Sequence, residues 1–176
     1  MLPSYLSATT ILSAASGAVS ALFIDTMIGI ATVGEAEFDL TMVMNGCLGG
    51  LVGISANCSV VSPWAAVLIG LVYVFSSKLL VNKQKIDDAV DDIPVHFFNG
   101  ILVCIATGLF ADPAKTELAY GSGKNAGLFF TNGNLLVEIC GVLFIIALTA
   151  GIMTPFFLAL NALHGQSIHW IRTQLL

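Results

Sequence analysis

Apolar residues are concentrated in five long stretches of the chain, and polar residues are confined almost entirely to the connections between them. A bilayer core of about 30 Å requires about 20 predominantly apolar residues per helix. Helices are expected because lipid offers no partner for backbone N–H and C=O groups. The pattern therefore predicts an all-α, polytopic membrane helix bundle with five transmembrane helices. The predicted spans are residues 5–24, 40–61, 64–81, 93–111 and 135–160.

The composition excludes a soluble domain. Hydrophobic residues make up 57% of the 176 positions, charged residues make up 10%, and the mean hydropathy is +0.93. Soluble domains carry roughly 25% charged residues because their surface faces water. The net charge of −5 also excludes nucleic acid as a partner, since contact with phosphates requires a basic surface. Met1–Leu6 contains no Lys or Arg, so no cleavable signal peptide is expected.

The distribution of Lys and Arg between the connections predicts the orientation in the membrane. Cytoplasmic connections carry an excess of these residues. One side of the predicted bundle has Lys78, Lys83, Lys85 and Arg172, and the other has Lys115 and Lys124. The carboxyl terminus is therefore expected in the cytoplasm and the amino terminus outside. The plasma membrane is the expected location.

Small residues at a spacing of four predict where helices approach one another closely. Such pairs expose the backbone on one face of a membrane helix and allow close contact. They are Gly46 with Gly50 and Gly49 with Gly53 in the second span, and Gly100, Cys104 and Gly108 in the fourth. We interpret both stripes as packing surfaces.

Lys78, near the end of the third span, is counted with the cytoplasmic connection. Two other ionisable residues, His96 and Glu138, are predicted to lie inside a span, where a charge in lipid is costly. Glu138 lies about one turn into the fifth span, where a carboxylate can reach water or complement the helix dipole. His96 lies near the start of the fourth span, with Gly100 four residues later. A neutral imidazole has one donor and one acceptor. His96 could therefore bond a neighbouring helix, line a path for a small solute or relay a proton, and the residues alone leave these alternatives open.

The chain contains no recognisable set of catalytic or metal-ligating residues. The histidines lack the HExxH spacing of a zinc site, and neither GxSxG nor GxxxxGK[ST] occurs. The cysteines lie in apolar runs without a CxxC pair and are expected to be small packing residues. We therefore expect neither an enzyme nor a bound cofactor or metal.

Several motifs, in order along the chain, resemble the ammonium transporter, methylammonium permease and Rhesus family. Residues 87–111 (DDAVDDIPVHFFNGILVCIATGLFA) resemble the family signature DD…D…VHxxxGxxxxxxTGxFA. Residues 45–58 (NGCLGGLVGISANC) resemble its NGxLAGLVxITAxC helix. Shorter matches at 9–12, 22–25, 63–66, 69–70 and 85–88 complete the series. The resemblance covers nearly the whole chain.

This resemblance implies the architecture of a partial transporter. Family members have eleven transmembrane helices, arranged as two inverted five-helix halves and a long last helix, and they assemble as trimers. The five spans look like helices seven to eleven, so residues 1–176 are expected to form a partial ammonium transporter domain that lacks the first half. An inverted-repeat pore forms between the two halves. The family's first pore histidine and outer-vestibule residues have no counterpart here.

The resemblance also implies roles for individual residues. His96 corresponds to the second of two histidines along a narrow apolar pore, and Ser55 lies where the family usually has Thr. Asp91, and secondarily Asp88, match acids that order the start of the histidine-bearing helix. The family commonly has Gly at position 99, where this chain has Asn99.

The implied function is transmembrane transport of ammonium or ammonia, as part of a full-length transporter. In the family account, ammonium is deprotonated at the outer face and ammonia passes the histidines. The expected partners are ammonium or ammonia, the lipid bilayer and, in the full-length form, two further copies of the same subunit. We expect the chain not to conduct alone. The alternative is a nonconducting membrane protein that associates with full-length transporter subunits through its GxxxG faces.

Overall fold

The computed structural model describes residues 2–32, 34–36, 38–72, 88, 91–130, 133 and 135–174, with side chains described through residue 163. Within these residues the regular structure is entirely helical, which confirms the predicted fold class. The helices are α1 (Leu2–Thr32), α2 (Leu40–Ile54), α3 (Pro63–Val72), α4 (Ile93–Phe110), α5 (Pro113–Tyr120) and α6 (Leu135–Gln174).

Helix lengths differ in places from the predicted spans. Among the described residues, Leu2–Thr32, Ile93–Phe110 and Leu135–Leu163 are long and apolar enough to cross a membrane, whereas α2 and α3 are shorter apolar helices. The second predicted span continues to residue 61, but residues 55–60 form turns. The predicted helix was too long there because apolar residues indicate burial but do not distinguish a helix from a buried turn. Val60 and Val61 are buried, although they follow the end of α2. Residues 73–81 of the third predicted span lie outside the described residues.

α1 and α2 run antiparallel with their backbones in contact. A Cβ added at Gly46 would lie 2.6 Å from the Gly17 carbonyl oxygen, and one added at Gly50 would collide with the Ser13 carbonyl oxygen. Ser13 Oγ donates a 2.8 Å hydrogen bond to the Gly50 carbonyl oxygen. Only residues without a larger side chain allow this approach, which is the packing mode of small residues in membrane helices.

α3 runs parallel to α1. Near the start of α1, the Tyr5 hydroxyl donates a 2.6 Å hydrogen bond to the Val61 carbonyl oxygen. Further along, Ser16 Oγ donates a 3.0 Å bond to the Val67 carbonyl oxygen. Residue numbers therefore rise together on the two helices.

α4 runs parallel to α2. A Cβ at Gly53 would lie 3.7 Å from Asn99 Oδ1, and Asn57 Nδ2 lies 3.5 Å from the Val103 carbonyl oxygen. With α1 and α3 pointing one way and α2 and α4 the other, successive helices alternate in direction. Alternation is what consecutive membrane spans require.

The alternation defines two ends of this helical unit. At the Lys115 end, the turn after α2 meets the segment after α4: the Asp112 N–H donates a 2.8 Å bond to the Val60 carbonyl oxygen, and Lys115 Nζ lies 3.3 Å from Ser62 Oγ. The opposite end, called the Asp88 end, contains the end of α1 and the starts of α2 and α4.

The chain divides into two compact units, Met1–Glu138 and Ile139–Leu176, and all the contacts described so far lie in the first. The second unit is the continuation of α6. Its described side chains, residues 139–163, are mostly exposed, and the mean hydropathy of Leu135–Leu163 is 2.5. A helix that is apolar on all sides is suited to lipid or to a protein interior.

Candidate functional site

The start of α4, which bears His96, is π-helical. Ile93–Phe98 has the wider π-helical turn, and the α-helix proper begins at Asn99. Pro94 fits in the first turn because the first N–H groups of a helix have no intrahelical partner. Short π-helical segments are rare and occur frequently at functional sites.

The carboxylate of Asp88 caps this helix start. Its Oδ1 accepts a 3.0 Å hydrogen bond from the Asp92 N–H, and its Oδ2 accepts a 2.8 Å bond from the Ile93 N–H. Negative charge at this end also complements the helix dipole. Asp91 has a φ of 58°, a conformation that Asp tolerates better than most residues, and its carbonyl accepts from the Val95 N–H at 2.9 Å. Asp88 thus acts at the helix start through its side chain, and Asp91 forms the turn.

Asn99 holds the backbone on both sides of His96. Its side chain is 1% exposed, and its Nδ2 donates a 2.9 Å bond to the Pro94 carbonyl oxygen five residues earlier. Its backbone N–H bonds the His96 carbonyl oxygen. The buried Asn99 side chain is therefore internally bonded, as most buried amides are.

The His96 ring lies on an open face of α4. Its side chain is 66% exposed, and Nε2 is 3.8 Å from Asp92 Oδ1, beyond hydrogen-bond range. Phe97 is 48% exposed, and a Cβ at Gly100 would meet no described atom within 4 Å outside its own stretch of helix. Of the described residues, none hydrogen-bonds the ring. A neutral imidazole bonded to a neighbouring helix, one of the alternatives left open by the sequence, is therefore absent from the described part of the chain.

Ser55 lies at a different depth from His96. It ends α2, it is exposed, and its Oγ donates a 2.8 Å hydrogen bond to the Val52 carbonyl oxygen. Because Gly53 is level with Asn99, Ser55 lies further toward the Lys115 end than His96 does.

The glycines predicted to pack occupy different surroundings. Gly46, Gly49, Gly50 and Gly53 on α2 are all buried. On α4, a Cβ at Gly108 would lie 3.1 Å from Glu138 Cγ, whereas the position of Gly100 is open. Gly100 differs from the expectation because the face it shares with His96 has no covering helix among the described residues.

A ladder of hydroxyl groups on α1 was missed by sequence reasoning. Tyr5, Thr9, Ser13 and Ser16 each donate a hydrogen bond to a carbonyl oxygen outside α1, at distances of 2.6 to 3.0 Å. Their spacing of three to four residues places them on one helix face. That spacing was the available signal, because hydroxyl groups at helical intervals in an apolar span favour contact with other helices.

An ion pair at the Lys115 end was also missed. Asp112 Oδ1 caps α5 through a 3.0 Å bond from the Ala114 N–H, and Oδ2 lies 2.7 Å from Lys115 Nζ. The hydrogen bond from Lys115 holds the pKa of the Asp112 carboxyl below its ordinary value of 3.8, against the opposite effect of burial. Burial lowers the pKa of Lys115, but the bonds to Asp112 and Tyr5 outweigh it and raise that pKa above 10.5.

Comparison with known proteins identifies the family. The model described as Ammonium Transporter Family matches residues 4–170. Ammonium transporter 3 of Dictyostelium discoideum is 32% identical over 88% of this chain and 35% of its own length. Ammonium transporter Amt2 of Archaeoglobus fulgidus is 36% identical over 77% of this chain and 29% of its own length.

A solved structure has the same fold. Mep2 of Saccharomyces cerevisiae superposes with a TM-score of 0.75 and 25% identity, covering 90% of this chain and 35% of that one. The chain therefore spans about a third of the length of the relatives it matches. Its apolar helices and these relatives make it an integral membrane protein. It belongs to the ammonium transporter family.

Proposed function

We propose that this chain forms one wall of an ammonia-conducting pore in a larger ammonium transporter, and that His96 lines that pore. The observation that carries the proposal is the His96 ring, which is 66% exposed on an otherwise apolar membrane helix. An exposed imidazole facing lipid would be costly, so this open face needs a covering surface that tolerates a polar group.

The chemistry of an imidazole suits ammonia. A bare ammonium ion in an apolar passage is heavily penalised, whereas neutral ammonia can exchange hydrogen bonds with ring nitrogens. Asp88 and Asn99 hold the backbone on either side of His96 by hydrogen bonds to residues 92–94. Ser55, further along the same unit, is proposed as a second polar contact on the path.

The rest of the pore is proposed to come from protein outside this chain. The chain spans about a third of its relatives' length, and the open face has no cover among the described residues. We therefore propose that residues 1–176 are a partial transporter domain that does not conduct alone, that the full-length form is a plasma-membrane homotrimer, and that the protein is not an enzyme.

Growth of ammonium-uptake-deficient yeast on low ammonium tests this proposal. The chain alone should not restore growth. A chimera in which this chain replaces the matching segment of Ammonium transporter 3 should restore growth. His96→Ala in that chimera should abolish the growth. Cys140→Ala, at an exposed position of α6, is the matched control and should grow. Growth of the His96→Ala chimera, or growth supported by the chain alone, would contradict the proposal.

The alternative of a nonconducting associating protein is not favoured by the packing. That alternative used the GxxxG faces to bind other subunits. One of these pairs, Gly46 with Gly50, is buried against Gly17 and Ser13 of the same chain, so this pair is not available to another subunit while α1 is in place.

A further inference from the structure

The wide turn at the start of α4 is closed by a side chain. Ile93–Phe98 is π-helical, and a π-helical hydrogen bond spans five residues. The backbone N–H of Asn99 bonds the His96 carbonyl oxygen, which is only three residues earlier. Its side-chain Nδ2 donates a 2.9 Å bond to the Pro94 carbonyl oxygen, five residues earlier. The Asn99 side chain therefore makes the five-residue link that a backbone N–H makes in a regular π-helix.

This bond is buried, so water cannot replace it. Asn99 is 1% exposed, and Pro94 is also buried. Without the Nδ2 donor the Pro94 carbonyl oxygen would lose this partner, and a buried acceptor without a partner is costly. In an α-helical turn the Phe98 N–H bonds that oxygen. Removal of the donor therefore favours the α-helical turn over the wide one.

The width of the turn decides where the His96 ring points. A π-helical turn holds one residue more than an α-helical turn. A change to α-helical geometry would rotate the residues before the turn against those after it by about 100°, the angle of one residue in an α-helix. His96, now 66% exposed, would then point where Val95 points, and Val95 is 2% exposed. Phe97 would take the direction that His96 has now.

Both sides of the turn are packed while it has this width. After the turn, Val103 is 5% exposed, and its carbonyl oxygen lies 3.5 Å from Asn57 Nδ2 in the segment after α2. Before the turn, Val95 packs in a cluster with Ala21 and Met42. The amide that closes the turn thus keeps these two contacts in register with each other.

We propose that Asn99 is a positioning residue whose side chain, bonded to the Pro94 carbonyl oxygen, directs the His96 ring to the open face of α4. Asn99 is itself buried, so it acts through the backbone and not by contact with a solute. The role of the ring in conduction rests on the proposed function. The direction of the ring is measured without transport, so the two proposals can fail separately.

Collision of oxygen with a nitroxide label, measured by electron paramagnetic resonance on the full chain in micelles, reports whether a side chain points outward. Labels are attached through His96→Cys or Phe97→Cys after the four native cysteines are replaced by alanine. Both labels should be accessible when Asn99 is present. Asn99→Ala should lower the accessibility at position 96 about twofold or more, because that side chain turns by about 100° toward the buried direction. Position 97 should stay accessible.

A matched control and a rescue separate this role from general packing. Asn57→Ala removes the same atoms from another fully buried asparagine, one that contacts α4 beyond the turn, and should leave both labels unchanged. Deletion of Phe98 from the Asn99→Ala chain takes out the extra residue of the wide turn. The two sides then regain their present relation, and position 96 should become accessible again. A simple loss of packing would not be reversed by a deletion.

Three results would overturn the inference: unchanged accessibility at position 96 in Asn99→Ala, an equal loss in Asn57→Ala, or no recovery after the deletion of Phe98. A label scan of positions 93–103 with Asn99 intact adds a test that does not depend on the folding of a variant. An unbroken period of about 3.6 residues in that scan would also overturn the inference.

Transport supplies a second readout. In the chimera with Ammonium transporter 3, Asn99→Ala should reduce growth on low ammonium, and the added deletion of Phe98 should restore it. If accessibility changes as expected while growth does not, the result counts against the pore role of His96 and not against its positioning by Asn99.

Discussion

At the scale of single residues, the backbone around His96 is held firmly while its ring is left open. Asp88 and Asn99 supply side-chain hydrogen bonds to the helix start and to the Pro94 carbonyl oxygen. Among the described residues, the charged neighbour of the ring is Asp92, whose Oδ1 lies 3.8 Å from Nε2. This division is consistent with the proposed role of His96, in which the ring exchanges hydrogen bonds with ammonia.

The cap by Asp88 makes a testable contribution to stability. Asp88→Ala leaves the Asp92 and Ile93 N–H groups without their acceptor and should lower the free energy of unfolding by about 1–2 kcal/mol. Asp88→Asn retains one acceptor oxygen and should cost less. Hydrogen exchange at these two amides and thermal unfolding in micelles measure the effect. Asp92→Ala removes a 72% exposed carboxylate that caps nothing and serves as the control; an equal loss there would refute the capping role.

The Asp112–Lys115 pair predicts a pH dependence. Since the pKa of Asp112 is lowered, its contribution to stability is present above its ordinary pKa of 3.8 and is lost as the pH falls through the still lower folded-state value. Lys115, with its raised pKa, stays protonated to above pH 10.5, so the pair is intact across the neutral range.

Asp112→Asn isolates this pair, because asparagine keeps the oxygen that caps α5 but loses the charge. At pH 7 the variant should be less stable by about 1 kcal/mol, and the difference should disappear at about pH 2. Thermal unfolding of both proteins at the two pH values measures it. A difference that persisted in acid would mean that geometry, and not charge, stabilises the contact.

At the scale of elements, α1 and α2 pack through bare backbone and hydroxyl groups. Gly17, Gly46 and Gly50 let the backbones meet, and the α1 hydroxyls bond carbonyl oxygens across the interface. Between apolar helices in lipid there is little hydrophobic gain from association, so close packing and such bonds must supply the stability. The contact is consequently sensitive to a single added methyl group.

Alanine substitutions of matched glycines test this dependence. Gly46→Ala and Gly50→Ala place a methyl group against the α1 backbone and should each lower the free energy of unfolding by about 1–3 kcal/mol. Gly100→Ala meets no described atom within 4 Å outside its own stretch of helix, and it should be neutral or stabilising by up to about 1 kcal/mol through helix propensity. Thermal unfolding in one detergent compares all three. Equal effects at Gly46 and Gly100 would contradict the packing that the structure shows.

At the scale of the whole molecule, the chain has two units. In the first unit the face of α4 that bears His96 has no cover among the described residues. The second unit is the continuation of the apolar helix α6. The direction of the helix axis alternates from α1 to α4, as it does in consecutive segments that cross a membrane. Because the chain covers about a third of its relatives, its functional surface is proposed to be completed by protein beyond these residues.

Reporter fusions test the predicted orientation. Green fluorescent protein joined after Leu176 should fluoresce, as it does in the cytoplasm, and alkaline phosphatase inserted at the exposed Gly121 should be active, as it is outside. The reciprocal fusions should be inactive. Three of the residues on which this prediction depends, Lys78, Lys83 and Lys85, lie outside the described residues, so the fusions are its test. The opposite pattern of reporter activity would show that the orientation is the reverse of the predicted one.

The sequence by itself determined the fold class, the membrane environment, most helix positions and, by resemblance, the family. Those properties depend on local hydropathy and on ordered motifs, which are visible along the chain. The tertiary structure decided which glycines meet another backbone, that Asp88 caps the helix of His96 through its side chain, that the His96 ring is left open, and that Asn99 bonds the Pro94 carbonyl oxygen. Each of these depends on which face of a helix meets a neighbour, and that is settled by packing between segments distant in sequence.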